Sequence, residues 1–97
     1  MDEVVTGLVV EVKERLHISH GSDDANLGRL VSSSIMDLQN KCGPFDIKAD
    51  LVARELVMER VRYAYNDSLE FFDTNFLSQI NSLSISLLPS TEEGETT

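Results

Sequence analysis

The chain of 97 residues contains no tryptophan, a single cysteine, five glycines and two prolines. So little glycine and proline disfavours a turn-rich all-β protein. One cysteine cannot form an internal disulfide, which fits a reducing compartment. We expect Cys42 to be a small apolar residue at the end of a helix.

Basic residues are also few, and they are unevenly placed. Eight lysines and arginines face seventeen acids, for a net charge of −9, and no base follows Arg62. The acids beyond that point are Asp67, Glu70, Asp73, Glu92, Glu93 and Glu95. Such a chain is poorly suited to phosphate-driven binding of nucleic acid. The asymmetry fits either an acidic soluble surface or a polar molecule that makes head-to-tail contacts.

Long apolar runs are missing as well. The acidic start Met1-Asp2-Glu3 is atypical of a signal peptide, and no run approaches the ~18 apolar residues of a membrane span. The length fits one domain. We expect a helical domain over 1–88 and a flexible acidic tail over 89–97.

The segment 46–65 predicts the central helix of an all-α bundle. Five polar residues fall on one narrow line of this helix, namely Lys48, Glu55, Glu59, Arg62 and Asn66. Apolar residues occupy most of the remaining circumference, so other segments should enclose it. We expect Asp46 to cap this helix, and Leu56 and Val57 to be buried.

Three further helices are predicted, giving about four in all. The first spans 2–16, although its valines leave a strand at Leu8–Val12 possible. The second begins at a Ser22 cap, runs to about Cys42, and is ended by Gly43 and Pro44. A polar loop at 66–74 leads to the last helix, Phe76 to about Leu88, which Pro89 ends.

The residues with reactive or metal-binding side chains form no specific motif. His17, His20 and Cys42 lack the spacing of a zinc site or of a catalytic pair. Asp23 and Asp24 suit a helix N-terminus better than a metal. We therefore predict no catalytic, cofactor or metal site and no enzymatic activity.

The order and spacing of these elements resemble the small head–tail connector (head-completion adaptor) proteins of long-tailed double-stranded DNA phages. The similarity covers about residues 4–88. The two segments that carry the similarity are VVEVKERLHISHGSDDANLGRLVSSSIMDLQNKCGPF and LVARELVMERVRYAYNDSLEFFDTNFLSQINSLSISL. Its features are a first helix ending in K-x-R-L-x-I, an acidic pair opening the second helix, a C-G at its end, R-Y ending the third, and I-x-S-L-x-x-x-L in the last. The triple serine at 32–34 departs from the pattern, as does the absence of glycine after Tyr65.

The resemblance implies an all-α subunit without catalysis. Twelve copies would form a ring under the portal protein of a virion and extend the DNA channel towards a head-closure or tail-completion protein. Such a protein is made in the bacterial cytoplasm and needs no membrane. DNA would pass the lumen without sequence-specific binding, since carboxylates repel phosphates over about 8–10 Å at ordinary salt. The alternative function is a small acidic helical regulator that binds a basic protein or helix.

Two arginines on the central helix are the candidate bases for contacts between subunits. Arg54 and Arg60 interrupt its apolar zone, and either their stems follow the edge of the core or their charges reach a neighbour. Asp50, four residues before Arg54, could pair with it. The candidate acceptors in an adjacent chain are Asp67, Glu70 and Asp73. Contact with a neighbour or the portal is expected at Leu87, Leu88, Pro89, Glu92 and Glu93.

Overall fold

The computed structural model describes residues 2–89, and they fold into helices without a strand. The helices are α1 (Glu3–Leu16), α2 (Asp24–Cys42), α3 (Leu51–Tyr65), the short α4 (Phe72–Asn75) and α5 (Leu77–Ser86). A single 3-10 turn, Leu69–Phe71, precedes α4. The all-α prediction is confirmed, and the possible strand at Leu8–Val12 is excluded because these residues lie within α1.

Helix α1 begins and ends at well-defined caps. The Asp2 carboxylate accepts the Val4 N–H at 2.7 Å, which satisfies one donor of the first turn. His17 closes the helix in the left-handed region at φ 60°, and the Ile18 N–H returns to the Lys13 carbonyl at 2.8 Å. Its apolar face is buried at Val5, Leu8, Val9 and Val12.

Helix α2 begins later than the sequence suggests. Asp23, rather than Ser22, precedes its first residue, and it makes no side-chain capping bond. The Ser22 hydroxyl lies 2.9 Å from His20 Nδ1 instead, so the predicted cap is wrong. The end is as predicted: Gly43 has φ 111°, a value that favours glycine, and its N–H bonds the Gln39 carbonyl.

Helix α3 starts at Leu51, five residues after the predicted cap. Asp46 closes a separate turn, in which its carboxylate accepts the Lys48 N–H at 2.9 Å. Asp50 is the cap, and it accepts the Ala53 N–H at 3.1 Å. Both aspartates suit a helix start, and the structure uses the second.

The core is centred on the pair α2 and α3. Helix α2 packs against α1, α3 and α5, and α3 packs against α1, α2 and α5. Leu56 and Val57 are buried, as predicted for a central helix. Enclosure is incomplete, however, because Leu51 and Val52 in the first turn of α3 are 70% and 54% exposed.

The expected polar loop at 66–74 is largely helical. Phe72 in α4 is fully buried, and its ring stacks on Phe76 with centroids 5.0 Å apart. Tyr63 meets both rings edge-on, at 5.8 Å and 5.5 Å. Phe76 therefore closes an aromatic cluster, and the last helix begins after it, at Leu77 rather than Phe76, and ends at Ser86. The predicted tail lies outside the described residues except for Pro89.

Candidate subunit-contact surface

Arg54, the first candidate interface base, is held by α1 of its own chain. Its Nε donates to Glu11 Oε1 at 3.3 Å, and its Nη2 also contacts Glu11 Oε2. Asp50 does not take part, because its carboxylate caps α3. An intersubunit contact of Arg54 remains a prediction, and Glu11 would have to release or share the guanidinium.

Arg60, the second candidate, lies at the edge of the core. Its side chain is 14% exposed, and Nε donates to Asp37 Oδ2 at 3.1 Å. Its Nη1 donates to Ser34 Oγ at 3.0 Å, and Ser34 is fully buried. Arg60 thus satisfies a polar atom inside the domain, and its predicted contact with a neighbour would compete with that role.

Asp37 and Asp73 extend this network through Lys41. The ammonium group lies 2.8 Å from Asp37 Oδ2 and 2.7 Å from Asp73 Oδ1. Partial burial alone would lower the pKa of Lys41, but the hydrogen bonds with the two carboxylates outweigh it and raise the pKa. Asp73, a candidate acceptor, therefore already binds a base that joins α2 to α4.

The two other candidate acceptors are exposed. Asp67 follows α3 in the left-handed region, at φ 57°, and its N–H bonds the Ala64 carbonyl at 3.2 Å. Glu70 lies in the 3-10 turn. Within residues 2–89 neither carboxylate forms a salt bridge, so both are available to a partner.

Of the C-terminal residues predicted to contact a neighbour or the portal, one is half-buried and two are exposed. Leu87 is half-buried and lies beside Gly43, since a Cβ at Gly43 would be 3.7 Å from Leu87 Cβ. Leu88 is 66% exposed, and Pro89 is exposed. Glu92 and Glu93 lie outside the described residues.

A second ion network joins α1 to α3. Arg15 donates to Glu55 and to Glu59, each at 3.0 Å, and Glu59 also accepts from Arg62 at 2.6 Å. The hydrogen bond to Glu55 is the main reason that the pKa of Arg15 is raised. Glu55 remains accessible, with 65% of its side chain exposed.

The structure leaves two bases without an acidic partner in the described chain, and sequence reasoning singled out neither. Arg29 is exposed on α2, and Lys48 is exposed in the turn before α3. The other six bases form salt bridges, listed by base as Lys13, Arg15, Lys41, Arg54, Arg60 and Arg62. No sequence signal identifies Arg29, because whether it has an acidic partner depends on which residues the fold places next to it.

Two apolar grooves lie on the domain surface, one between α1 and α2 and one between α3 and α5, and they share no lining residue. The α1/α2 groove has a volume of about 530 Å³ and is lined by Asp2, Val5, Ala25, Gly28, Arg29, Ser32, Ser33 and Met36. The α3/α5 groove has a volume of about 420 Å³ and is lined by Leu51, Val52, Glu55, Leu56, Glu59, Phe76 and Gln79. Each is lined by exposed apolar side chains and by two charged residues, Asp2 and Arg29 in the first groove and Glu55 and Glu59 in the second. The sequence predicted the apolar character of Leu51 and Val52 but placed them inside.

The thiol of Cys42 makes a contact inside the core. Cys42 is buried, and its Sγ donates to the Ile80 carbonyl at 3.6 Å. In residues 2–89 no three histidine, cysteine, aspartate or glutamate side chains come close enough to hold a metal ion. Within the same range no helix has the length and apolar character needed to cross a membrane.

Comparison of the chain with protein-family models, with curated proteins and with solved structures found no match.

Proposed function

We propose that this protein is a structural subunit of a phage head–tail connector, which assembles as a ring under the portal and extends the DNA channel for tail attachment. The observation that carries the proposal is the pair of apolar grooves, with no lining residue in common, on one small helical domain. A ring needs two different, complementary surfaces on each subunit, because each copy contacts two neighbours through a heterologous interface.

The order of helices supports the same assignment. The segments that carry the resemblance correspond to α1, α2, α3 and α5, and the C-G feature coincides with the end of α2 at Cys42 and Gly43. The net charge of −9 suits a channel component. Carboxylates around a lumen repel phosphates, which would let DNA pass without binding.

The experiment is assembly on a portal. The purified chain is mixed with the portal protein encoded in the same genome, and the mass and symmetry of the complex are measured. We expect a ring of twelve copies at one end of the portal, with a downstream head-closure or tail-completion protein binding only after the ring has formed. A chain that leaves the portal unchanged at high concentration would contradict the proposal.

The α3/α5 groove favours a second candidate function, that of a small acidic regulator. Leu51, Val52 and Phe76 give it an apolar floor, while Glu55 and Glu59 provide negative charge. An amphipathic basic helix would fit these properties. A partner of this kind would bind the monomer at one-to-one stoichiometry without a portal, so the mass of the complex separates the two functions.

A further inference from the structure

We infer that the α2 face carrying Arg29 and Met36 in one copy docks on the α3/α5 groove of the next copy, with Met36 seated against Leu51 and Val52. The inference rests on the proposed function and names the two surfaces that would meet. The first observation is that all three apolar side chains are exposed to solvent. Met36 is 64% exposed, Leu51 is 70% exposed and Val52 is 54% exposed. A chain of this size gains from covering three such side chains in one contact.

Charge complementarity selects the partner. Arg29 has no acidic partner among residues 2–89, and it stands on the same face of α2 as Met36. Glu55 stands in the α3/α5 groove, one helical turn after Leu51, with 65% of its side chain exposed. The α2 face therefore offers a base next to an exposed apolar residue, and the α3/α5 groove offers an accessible acid next to exposed apolar residues. These two surfaces are complementary in charge and in apolar character.

The spacing along the helices allows both contacts at once. Arg29 and Met36 are seven residues apart, which is about 10 Å along α2. Val52 and Glu59 are separated by the same distance on α3, and Glu55 lies one turn nearer to Val52. With α2 of one copy antiparallel to α3 of the next, Met36 would cover Val52, and Arg29 would lie opposite Glu59. From there the long Arg29 side chain reaches back one turn to Glu55.

In a ring this contact is heterologous, since the α2 face of each copy and its α3/α5 groove meet different neighbours. Every copy could then offer its α2 face to one neighbour and its groove to the other. It also leaves the internal pairs of Arg54 and Arg60 intact, while Glu55, whose side chain is 65% exposed, would share its carboxylate between Arg15 of its own chain and Arg29 of the neighbour.

A charge-swap experiment tests the inference. Self-association and ring formation on the portal are measured for the wild type, Arg29→Glu, Glu55→Arg and the double variant. Each single change should weaken association about tenfold by placing like charges together, and the double variant should recover to within about threefold of the wild type. Lys48→Glu is the matched control, since Lys48 is the other exposed base without an acidic partner in the described part, and it should associate as the wild type does.

A second measurement does not depend on charge. Cysteines are placed at Met36 in one preparation and at Val52 in another, and the two are mixed with a short thiol cross-linker. We expect cross-linked pairs, and far fewer when the cysteine is placed at Val10, which is 53% exposed on α1. Native Cys42 is buried, and wild-type chains carried through the reaction measure its background.

The outcomes separate the inference from the proposed function. If the wild type assembles but the charge swap restores nothing and the Met36–Val52 pair does not cross-link, the docking surfaces are wrong and the ring proposal stands. If the wild type neither associates nor joins the portal, both are overturned. Restoration in the double variant together with the specific cross-link supports both, because a folding defect in the single variants would not be repaired in this way.

Discussion

The Arg60 guanidinium donates a 3.0 Å hydrogen bond to the hydroxyl of Ser34, a residue with no exposed surface. The bond crosses from α3 to α2, the two helices at the centre of the core. A buried hydroxyl without a hydrogen-bond partner is costly, and an arginine at the edge of the core loses part of its hydration. Ser34 provides an acceptor for the arginine, and Arg60 provides a donor for the hydroxyl.

We expect Ser34→Ala to lower the free energy of unfolding by about 1–3 kcal/mol, because it leaves one Arg60 donor without its partner. Ser32→Ala is the control, since Ser32 is exposed on the same helix and should change stability by less than about 0.5 kcal/mol. Urea denaturation of both variants measures the difference. Equal values for the two serines would show that the buried bond contributes nothing.

Phe72→Ala should cost about 3–5 kcal/mol, because it empties a fully buried site and removes the ring that stacks on Phe76. Its neighbour Phe71 is 56% exposed, so Phe71→Ala should have a small effect. Thermal or urea unfolding of the pair checks this. If the two substitutions cost the same, the aromatic cluster is not part of the core.

The aromatic cluster shows where sequence reasoning stopped. Helical periodicity and the Gly43-Pro44 pair were sufficient to predict α1, α2, α3 and α5, because those signals are local. Phe71 and Phe72 interrupt polar residues, and the segment was therefore predicted to be a loop. Phe72 and Phe76 have the four-residue spacing of one helix face, but the contact that buries Phe72 against Tyr63, nine residues earlier, forms only in the folded chain.

The partners of Arg54 and Arg60 could not be predicted from the sequence either. Arg54 meets Glu11, which is 43 residues away, and Arg60 meets Asp37, which is 23 residues away. Only the neighbour at four residues, Asp50, is visible to a local argument, and the structure uses it as a cap. The position of the exposed grooves depends on the same tertiary packing, so the sequence could identify apolar residues without assigning Leu51 and Val52 to the surface.

Alkaline pH should reveal the environment of Tyr65. Partial desolvation, followed by the nearby Asp23 carboxylate, raises the pKa of its phenol from the usual 10.0. A raised folded-state pKa favours the protonated form, so this contribution is complete below pH 10 and is lost as pH rises through the folded-state value. We expect the unfolding free energy to fall above about pH 10, with a shallower fall in Tyr65→Phe and an intermediate one in Asp23→Asn. Identical slopes for all three proteins would rule out this contribution.

Asp67 occupies a backbone conformation that glycine adopts more easily. Its φ is 57°, in the left-handed region. We expect Asp67→Gly to stabilise the domain by up to about 1 kcal/mol by relieving the left-handed strain, and Asp67→Ala to destabilise it. Chemical denaturation gives the order of the three proteins, and a glycine variant less stable than the alanine variant would contradict the strain argument.

Charge reversal at Arg60 distinguishes a role in the fold from a role in assembly. Arg60→Glu would place a carboxylate beside Asp37 and leave Ser34 without its donor, so we expect a loss of about 3 kcal/mol in the isolated chain. Arg29→Glu removes no intrachain pair in the described residues and should keep stability within about 0.5 kcal/mol. Both variants are compared by urea denaturation and by ring formation on portals at low and high salt. If Arg60→Glu keeps wild-type stability yet blocks assembly in a salt-dependent way, Arg60 is an interface base after all. If it unfolds easily while Arg29→Glu stays folded and fails to assemble, the contact lies on the α2 face.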